Sequence, residues 1–220
     1  MENRCSIAID GPAGAGKSTV AKILAKKLGF EYVDTGAMYR AYTLKVIRMK
    51  LDPQNREQVL SILNDTNIDF INNHIYLDDE LVDEDIRDNS VSKQVSYIAS
   101  IKEVRDKMVF LQQEIARKKS IVMDGRDITT VVLPNANFKF FVTATVEERG
   151  RRRYLELISN GKNDVTLEDT VFDIKKRDEI DSSREESPLI QSDDAILIDT
   201  TKLSIEESVE KITSIIKGGI

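Results

Sequence analysis

The sequence predicts an α/β fold, with one mostly parallel, five-stranded sheet that is covered by helices on both faces. Five short segments rich in β-branched residues provide the strands, namely residues 6–10, 30–34, 120–124, 138–144 and 195–199. Segments of helical periodicity separate most of them, and this alternation is typical of a parallel sheet buried on both faces. With 220 residues and roughly 150 residues per domain, the chain has room for one domain with insertions or two small ones.

Helical periodicity is clearest in three places. Apolar residues repeat along one face of Lys17–Leu28, and Gly29 supplies a stop signal directly after it. Apolar residues at steps of four, three and four within residues 104–115 predict a second amphipathic helix. Ser204 and Glu207 have the spacing of a capping box, which predicts the start of the last helix.

Two segments depart from the strand–helix alternation. Residues 66–86 alternate apolar and polar residues and carry turn signals at Asn72-Asn73 and Asp78-Asp79, which predicts an antiparallel meander inserted into the parallel core. Residues 147–187 are almost wholly charged and polar. Because such a segment buries little apolar surface, it is suited to a mobile lid over a ligand.

Composition and charge restrict the class of protein. Lys+Arg 32 against Asp+Glu 38 give a net charge of −6, which argues against a broad basic face for duplex nucleic acid. No apolar run approaches the roughly 20 residues that span a bilayer, and the N-terminal strand pattern starts too early to leave room for a signal peptide.

The single cysteine, Cys5, is expected to be buried beside a strand in a reducing compartment, and the single histidine, His74, to lie on a surface hairpin. One residue of each kind is too few for a His/Cys metal site. We therefore expect a soluble, cytoplasmic protein that binds neither nucleic acid nor membrane. We also expect it to be a monomer.

The motif GPAGAGKST at residues 11–19 lies between the first strand and the first helix and matches the phosphate-binding P-loop. Its glycines allow backbone N–H groups to face phosphate oxygens, Lys17 reaches the β- and γ-phosphates, and the Ser18 hydroxyl ligates Mg²⁺. A glycine-rich turn without a ligand is the alternative, and both flanking elements argue against it. The predicted ATP site comprises Gly11, Pro12, Ala13, Gly14, Ala15, Gly16, Lys17, Ser18 and Thr19.

A P-loop does not by itself identify the molecule that receives the phosphate. The chain has no N-K-x-D motif, and no glycine follows an aspartate by three residues, so the guanine-binding and switch motifs of GTPases are missing. Motor and remodelling ATPases are normally larger or carry partner-binding modules. A small kinase remains, and it requires an acceptor site. A nucleotide-switched regulatory module is the alternative from another class, and the sequence contains neither switch motifs nor a partner-binding face.

Two further motifs are candidates for that acceptor site. VDTGAMYR follows the second strand and places Arg40 about one helical turn after Gly36. Asp124 ends an apolar strand, as a carboxylate that influences Mg²⁺ or its waters does in P-loop enzymes. Arg126 follows at the edge of the sheet where open α/β folds bind ligands. Taken alone, Arg40 could be solvated, and Arg126 could equally form a surface ion pair with Asp127.

Together, GPAGAGKST, DTGAMYR, DGRD and RDEIDSSREESPL, in this order and at these spacings, resemble the bacterial cytidylate kinases over essentially the whole chain. The resemblance implies a P-loop nucleoside-monophosphate-kinase fold and transfer of the γ-phosphate of ATP to CMP or dCMP, with Mg²⁺ as cofactor. It also implies a single kinase chain with a core of residues 1–40, 105–146 and 188–220, an antiparallel, NMP-binding insert at about 41–104 and a helical lid at about 147–187. The nearest enzymatic alternatives are P-loop kinases for adenylate, uridylate or shikimate.

The resemblance assigns roles to matching positions. The acceptor phosphate is held by Arg40, Arg126 and Arg184, the ribose by Arg177 and Asp181, and the cytosine by Ser96, Arg105 and Asp127; Thr35 completes the CMP-binding set. Ser96 is placed by counting back from Arg105, with Ser92 and Ser100 close by, and an ordinary helix-surface serine is its alternative. The lid arginines are Arg149, Arg152 and Arg153, which at i, i+3 and i+4 would share one helix face, whereas Arg151 is expected to be solvated. The catalytic group comprises Lys17, Arg126, Arg149 and Arg153, and the Mg²⁺ site comprises Ser18 and Asp124, directly or through water, with Asp34 left open.

Two departures from the family pattern stand out. Thr129 replaces a glycine that many relatives carry, and we expect it to alter packing without loss of activity. Ile180 and Ser182 stand where some members carry further arginines, so lid closure is expected to be weaker while the chemistry is unchanged.

Overall fold

The structure is a computed structural model that describes residues 4–71, 74–162 and 164–218. Its strands are β1 (Ser6–Asp10), β2 (Glu31–Asp34), β3 (Ile68–Ile71), β4 (His74–Leu77), β5 (Glu80–Leu81), β6 (Ile121–Gly125), β7 (Phe138–Thr143) and β8 (Ile196–Asp199). Its α-helices are α1 (Lys17–Leu28), α2 (Thr35–Arg48), α3 (Arg56–Ser61), α4 (Asn89–Ala99), α5 (Lys102–Ala116), α6 (Val146–Ser159), α7 (Leu167–Ser183) and α8 (Ile205–Gly218). A 3₁₀ helix at Asp85–Arg87 and a π-helical turn at Ile128–Val132 complete the regular structure of the described residues.

The central sheet has five parallel strands in the order β2-β6-β1-β7-β8, as predicted. Side chains of the central strand β1 alternate between its faces: Ile7 and Ile9 pack with α1 and α8, whereas Ala8 packs with α2 and α5. All of these positions are fully buried. The P-loop and the end of β6 therefore emerge side by side from the middle of the sheet, at the edge where parallel strands end.

The predicted helix signals are confirmed. Helix α1 ends at Gly29, which has a φ of 69°. At the start of α8 the Glu207 N–H donates to Ser204 Oγ at 3.1 Å, while the Ser204 N–H donates to Glu207 Oε2 at 2.7 Å. The helical pattern within residues 104–115 lies in α5.

The predicted meander is an antiparallel sheet in the order β3-β4-β5. The Asp78-Asp79 turn is present and has positive φ at both residues, whereas the Asn72-Asn73 turn lies outside the described residues. Buried residues of the meander, such as Ile75, share a core cluster with α2. His74 is exposed, as expected.

Helices α6 and α7 pack against each other, and Arg149 of α6 and Ile174 of α7 lie against Gly14 of the P-loop. A Cβ on Gly150 would lie 2.3 Å from Val171 Cγ2, so the close contact of the two helices depends on this glycine. Within the described part of residues 147–187, only Leu157 and Ile174 are buried large apolar side chains, and Phe172 is exposed. The prediction that this segment buries little apolar surface is confirmed.

Cys5 is only half-buried, because it precedes β1 at the end of the sheet instead of lying within it. No helix in the described ranges combines the length and the apolar character needed to cross a membrane.

Candidate active site

The P-loop has the strand–loop–helix geometry that the motif predicts, between β1 and α1. Gly11 has a φ of 146°, and a Cβ there would lie 1.9 Å from the Val142 carbonyl oxygen, so only glycine fits. Lys17 is buried, and its Nζ donates a hydrogen bond to the Pro12 carbonyl at 2.8 Å. Burial, followed by the nearby Arg126 charge, lowers the pKa of Lys17. An anion bound in the loop would stabilise this ammonium group.

Next to the loop, a carboxylate and a hydroxyl form a candidate metal site. Ser18 Oγ donates to Asp124 Oδ2 at 2.8 Å, and the Tyr32 hydroxyl donates to Asp124 Oδ1 at 2.9 Å. Burial, followed by the Asp34 charge, raises the pKa of Asp124 to about 6. A cation bound beside Asp124 would act in the opposite direction and favour the charged carboxylate.

This donor set fits Mg²⁺, which prefers oxygen ligands and usually takes one or two carboxylates while phosphates and waters complete its shell. Among the residues described, no group of three or more His, Cys, Asp or Glu side chains is placed to hold a metal by itself. Ser18 and Asp124 are therefore suited to a metal that arrives with a nucleotide, not to a permanent metal cage.

Ser18 and Asp124 line a cleft that is open to solvent. The cleft brings together every residue predicted to bind CMP: Thr35, Arg40, Ser96, Arg105, Arg126, Asp127, Arg177, Asp181 and Arg184. Asp34, Gly36, Tyr39 and Asp124 also line it.

Asp181 organises one side of the cleft. It is 3% exposed, and it accepts hydrogen bonds from Arg126 Nε at 2.8 Å and from Ser96 Oγ at 3.3 Å. Arg177 Nε lies 4.0 Å from the same carboxylate. Burial opposes the charge on Asp181, but these arginines and Arg184 hold its pKa below the usual value. Arg126 Nη1 also donates to the Gly125 carbonyl at 3.3 Å. Nε is therefore fixed by Asp181, while Nη2 and the second hydrogen of Nη1 can contact a ligand.

On another side of the cleft, Arg105 and Asp127 form a buried ion pair. Arg105 also donates to the Ala99 carbonyl at 3.1 Å, and its Cζ lies 5.5 Å from the centre of the Tyr39 ring. Arg184 Nη2 lies 3.9 Å from Asp127 Oδ1. This cluster offers a fixed donor and a fixed acceptor to the edge of a planar polar ring.

Several buried donors in the cleft have no hydrogen-bond partner among the described residues. They include Arg105 Nε, Arg177 Nε, Arg184 Nη2 and the Tyr39 hydroxyl. Burial, followed by the neighbouring Arg126 charge, lowers the pKa of Arg177 to about 9. The two arginines together concentrate positive charge on this side of the cleft. Unpaired buried donors are costly, and an anionic ligand with hydrogen-bonding groups would satisfy them.

The lid arginines do not all have the same surroundings. Arg149 is 4% exposed and its Nη1 donates to the Ala13 carbonyl at 2.9 Å and to Asp178 Oδ2 at 2.5 Å. Arg152 donates to the Thr200 carbonyl at 2.6 Å, beside the end of the P-loop.

All three positions lie in α6, but their partners differ. Arg153 pairs with Glu156 of its own helix at 2.9 Å, one turn further along. Arg151 is exposed and pairs with Glu148, which confirms that it is a solvated residue.

Four side chains of the site were given no role from the sequence. Asp10 directly precedes the P-loop motif and Asp178 lies within RDEIDSSREESPL, so their position was a signal that could have found them. Asp178 Oδ1 accepts the Ala13 N–H at 3.2 Å, and Asp10 binds the segment after Arg126. Tyr39 lies within the DTGAMYR motif, but a tyrosine in a helix is ordinarily part of the core. Tyr32 lies outside the motifs and had no sequence signal.

A P-loop at the edge of a parallel sheet, next to an arginine-lined cleft, defines this protein as a small P-loop kinase. The family model for cytidylate kinase matches residues 7–218. A cytidylate kinase of Clostridioides difficile (strain 630) is 54% identical over 208 residues, covering 94% of this chain and 96% of that protein. One of Alkaliphilus oremlandii (strain OhILAs) is 50% identical over 212 residues, covering 96% and 97%. The chain belongs to the cytidylate kinase family.

A solved structure agrees on the fold. The crystal structure of an uncharacterized protein from Eubacterium ventriosum ATCC 27560 superposes with a TM-score of 0.56 at 14% identity, covering 98% of this chain and 99% of that chain. At this identity the likeness concerns the fold alone.

Proposed function

We propose that the protein transfers the γ-phosphate of ATP to CMP or dCMP, giving ADP and CDP or dCDP. The observation that carries this proposal is the convergence of all nine predicted CMP-binding residues on one cleft beside the P-loop. Membership in the cytidylate kinase family supports the same reaction.

The donor binds at the P-loop. Backbone N–H groups of residues 11–19 and the N-terminus of α1 hold its phosphates, and Lys17 exchanges its bond to the Pro12 carbonyl for the β- and γ-phosphates. Ser18 and Asp124 hold Mg²⁺, which neutralises part of the phosphate charge when it is bound.

The acceptor binds in the cleft. Arg40, Arg126 and Arg184 hold its phosphate, because guanidinium groups stay charged and bind phosphate oxygens in pairs. Arg177 and Asp181 lie at the ribose, with Asp181 accepting from its 2′-hydroxyl when one is present. Ser96, Arg105 and Asp127 contact the cytosine.

Catalysis needs little beyond this positioning. Phosphoryl transfer requires two anions in line with their charge neutralised, and a nucleoside monophosphate is largely a dianion near pH 7, so it is already a nucleophile. Arg149 and Arg153 belong to the catalytic group and Arg152 to the lid, which closes over the γ-phosphate and excludes water as a competing acceptor. Arg149 is already against the P-loop, whereas Arg153 must leave Glu156 to reach the reacting phosphate.

The same proposal divides the chain into a core of residues 1–40, 105–146 and 188–220, an acceptor-binding insert at about 41–104 and a lid at about 147–187. Helices α6 and α7 form that lid. Its small buried apolar surface supports a segment that can open and close. We further propose a monomer that acts in the cytoplasm, in keeping with its single cysteine and nucleotide substrates.

The experiment that tests the proposal is ADP release from Mg-ATP, measured by a coupled assay with and without CMP. A kinase releases ADP at a substantial rate only when the acceptor is present. An ATPase or a nucleotide-switched binding protein would release ADP at the same rate in both reactions, and that result would overturn the proposal.

A further inference from the structure

Asp10 connects the P-loop to the segment that carries Arg126. It is the last residue of β1, directly before Gly11, and it is fully buried. Its Oδ1 accepts the Ile128 N–H at 2.9 Å, and its Oδ2 accepts the Thr129 N–H at 2.7 Å and the Thr129 hydroxyl at 2.6 Å. One carboxylate therefore binds three donors from a single turn of chain.

This connection lies where the backbone of the sheet no longer supplies one. The parallel pairing of β1 with β6 ends at Asp10 opposite Gly125. After that pair β1 continues into the P-loop, whereas β6 continues into Arg126 and Asp127. The Asp10 side chain extends the lateral contact past the last paired residues and fixes the π-helical turn at Ile128–Val132.

Thr129 contributes its hydroxyl group to this contact, whereas the neighbouring Thr130 does not. It is 1% exposed, and its hydroxyl donates to a carboxylate that is itself buried, which makes a strong hydrogen bond in a site of low dielectric constant. The hydroxyl of Thr130 lies 3.4 Å from the Asp127 carbonyl, which already accepts the N–H groups of residues 131 and 132. Thr129 was expected to change packing only, and the structure gives it a polar contact as well.

We propose that Thr129 acts through Asp10 as a positioning residue, holding the acceptor-binding Arg126 and Asp127 at a fixed distance from the P-loop. In-line transfer needs the two phosphates aligned, and small displacements of a gripping residue lower the rate strongly. The inference rests on the proposed kinase function and adds a residue to it. The hydrogen bond from Thr129 to Asp10 is made within the protein. Its loss is therefore expected to displace the acceptor-binding residues without removing any contact to ATP.

The test compares three variants of the full-length protein: Thr129→Val, which has the same shape without the hydroxyl, Thr129→Ser, which restores it, and the matched control Thr130→Val. For Thr129→Val we expect kcat/KM for CMP to fall about tenfold, the loss associated with one hydrogen bond to a buried charge, while KM for ATP stays within about twofold. Thr129→Ser and Thr130→Val are expected to stay within about threefold of the wild type in every parameter. Asp10→Asn, which places an NH₂ group against backbone donors, is expected to lower kcat/KM for CMP further than Thr129→Val.

A thermal melt of each variant separates positioning from stability. A Thr129→Val protein with a lower Tm but unchanged kcat and KM for CMP would show a purely structural contact and overturn the proposal. Equal kinetics of Thr129→Val and Thr130→Val would do the same while leaving the kinase function intact. A wild type that does not phosphorylate CMP would instead overturn the proposed function, and this inference with it.

Discussion

Replacing Arg126 by lysine tests the acceptor site while keeping the positive charge. The Nε of Arg126 is held by Asp181 at 2.8 Å, and Nη1 donates to the Gly125 carbonyl at 3.3 Å. Nη2 and the second hydrogen of Nη1 can still contact the acceptor phosphate in one plane. A lysine ammonium has no equivalent geometry, since it is a compact charge that can approach either Asp181 or the phosphate.

The magnitude follows from the contacts that are lost. One of the two bonds to phosphate disappears, and a charge-assisted bond of this kind is worth roughly 1.5–3 kcal/mol. The bond to Asp181 is also made without the acceptor, so its loss lowers the stability of the protein and is not added to this figure. A loss of about 1.5–3 kcal/mol corresponds to a fall of about 10–150-fold in kcat/KM for CMP.

The assay is coupled ADP release with CMP varied at saturating Mg-ATP, repeated with ATP varied. Arg151→Lys serves as the control, because Arg151 is exposed and pairs with Glu148 outside the cleft. We expect the control to match the wild type and Arg126→Lys to keep its KM for ATP. A loss of less than threefold in kcat/KM for CMP would refute the assignment of Arg126 to the acceptor phosphate.

Three further substitutions test other parts of the site. Gly11→Ala places a Cβ 1.9 Å from a backbone oxygen and is expected to abolish Mg-ATP binding in calorimetry. The control Gly29→Ala, whose Cβ would have nothing within 4 Å, is expected to bind Mg-ATP normally with a somewhat lower Tm. Normal binding by both variants would contradict the loop geometry. Asp124→Asn tests the candidate metal site. The folded-state pKa of Asp124 is raised from 3.8 to about 6, so the carboxyl binds its proton more tightly in the folded protein. The free energy of unfolding of the wild type is therefore expected to fall relative to that of Asp124→Asn as the pH rises from about 4 to about 6. Denaturant melts across this range check that sign, and kinetics should show a much higher Mg²⁺ requirement in the variant; a parallel pH dependence and an unchanged requirement would argue against this role. Ser96→Ala is expected to raise KM for CMP by about three- to tenfold while Ser100→Ala, an exposed residue, has no effect, and the reverse result would show that the serine was assigned wrongly.

The fold was predictable because its signals are local. The strands follow from short β-branched runs, and the bounds of α1 follow from apolar periodicity ended by Gly29. The capping box at Ser204 specifies the start of α8 through two hydrogen bonds between residues three apart. The exposed helix surface around Arg151 was likewise predictable from its charged neighbours.

The contacts within the site were less predictable, because they join residues far apart in the sequence. The family resemblance supplied the set of cleft residues, but not that Asp181 would fix Nε of Arg126 or that Ser96 would lie against Asp181. The pair between Arg153 and Glu156 is different, because its i,i+3 spacing favours an ion pair that could have been expected from the sequence. The contact from Thr129 to Asp10 spans 119 residues and has no local signal.

The central claim is that the cleft selects a cytidine monophosphate as phosphate acceptor. The most direct measurement is kcat/KM for CMP, dCMP, UMP, AMP, GMP and shikimate with the wild-type protein and Mg-ATP. We expect kcat/KM for CMP and dCMP to exceed that for each of the other acceptors by at least about tenfold, the ratio that one well-placed hydrogen bond to the base provides. A higher kcat/KM for any other acceptor would contradict the roles given to Ser96, Arg105 and Asp127, while leaving the P-loop kinase fold in place.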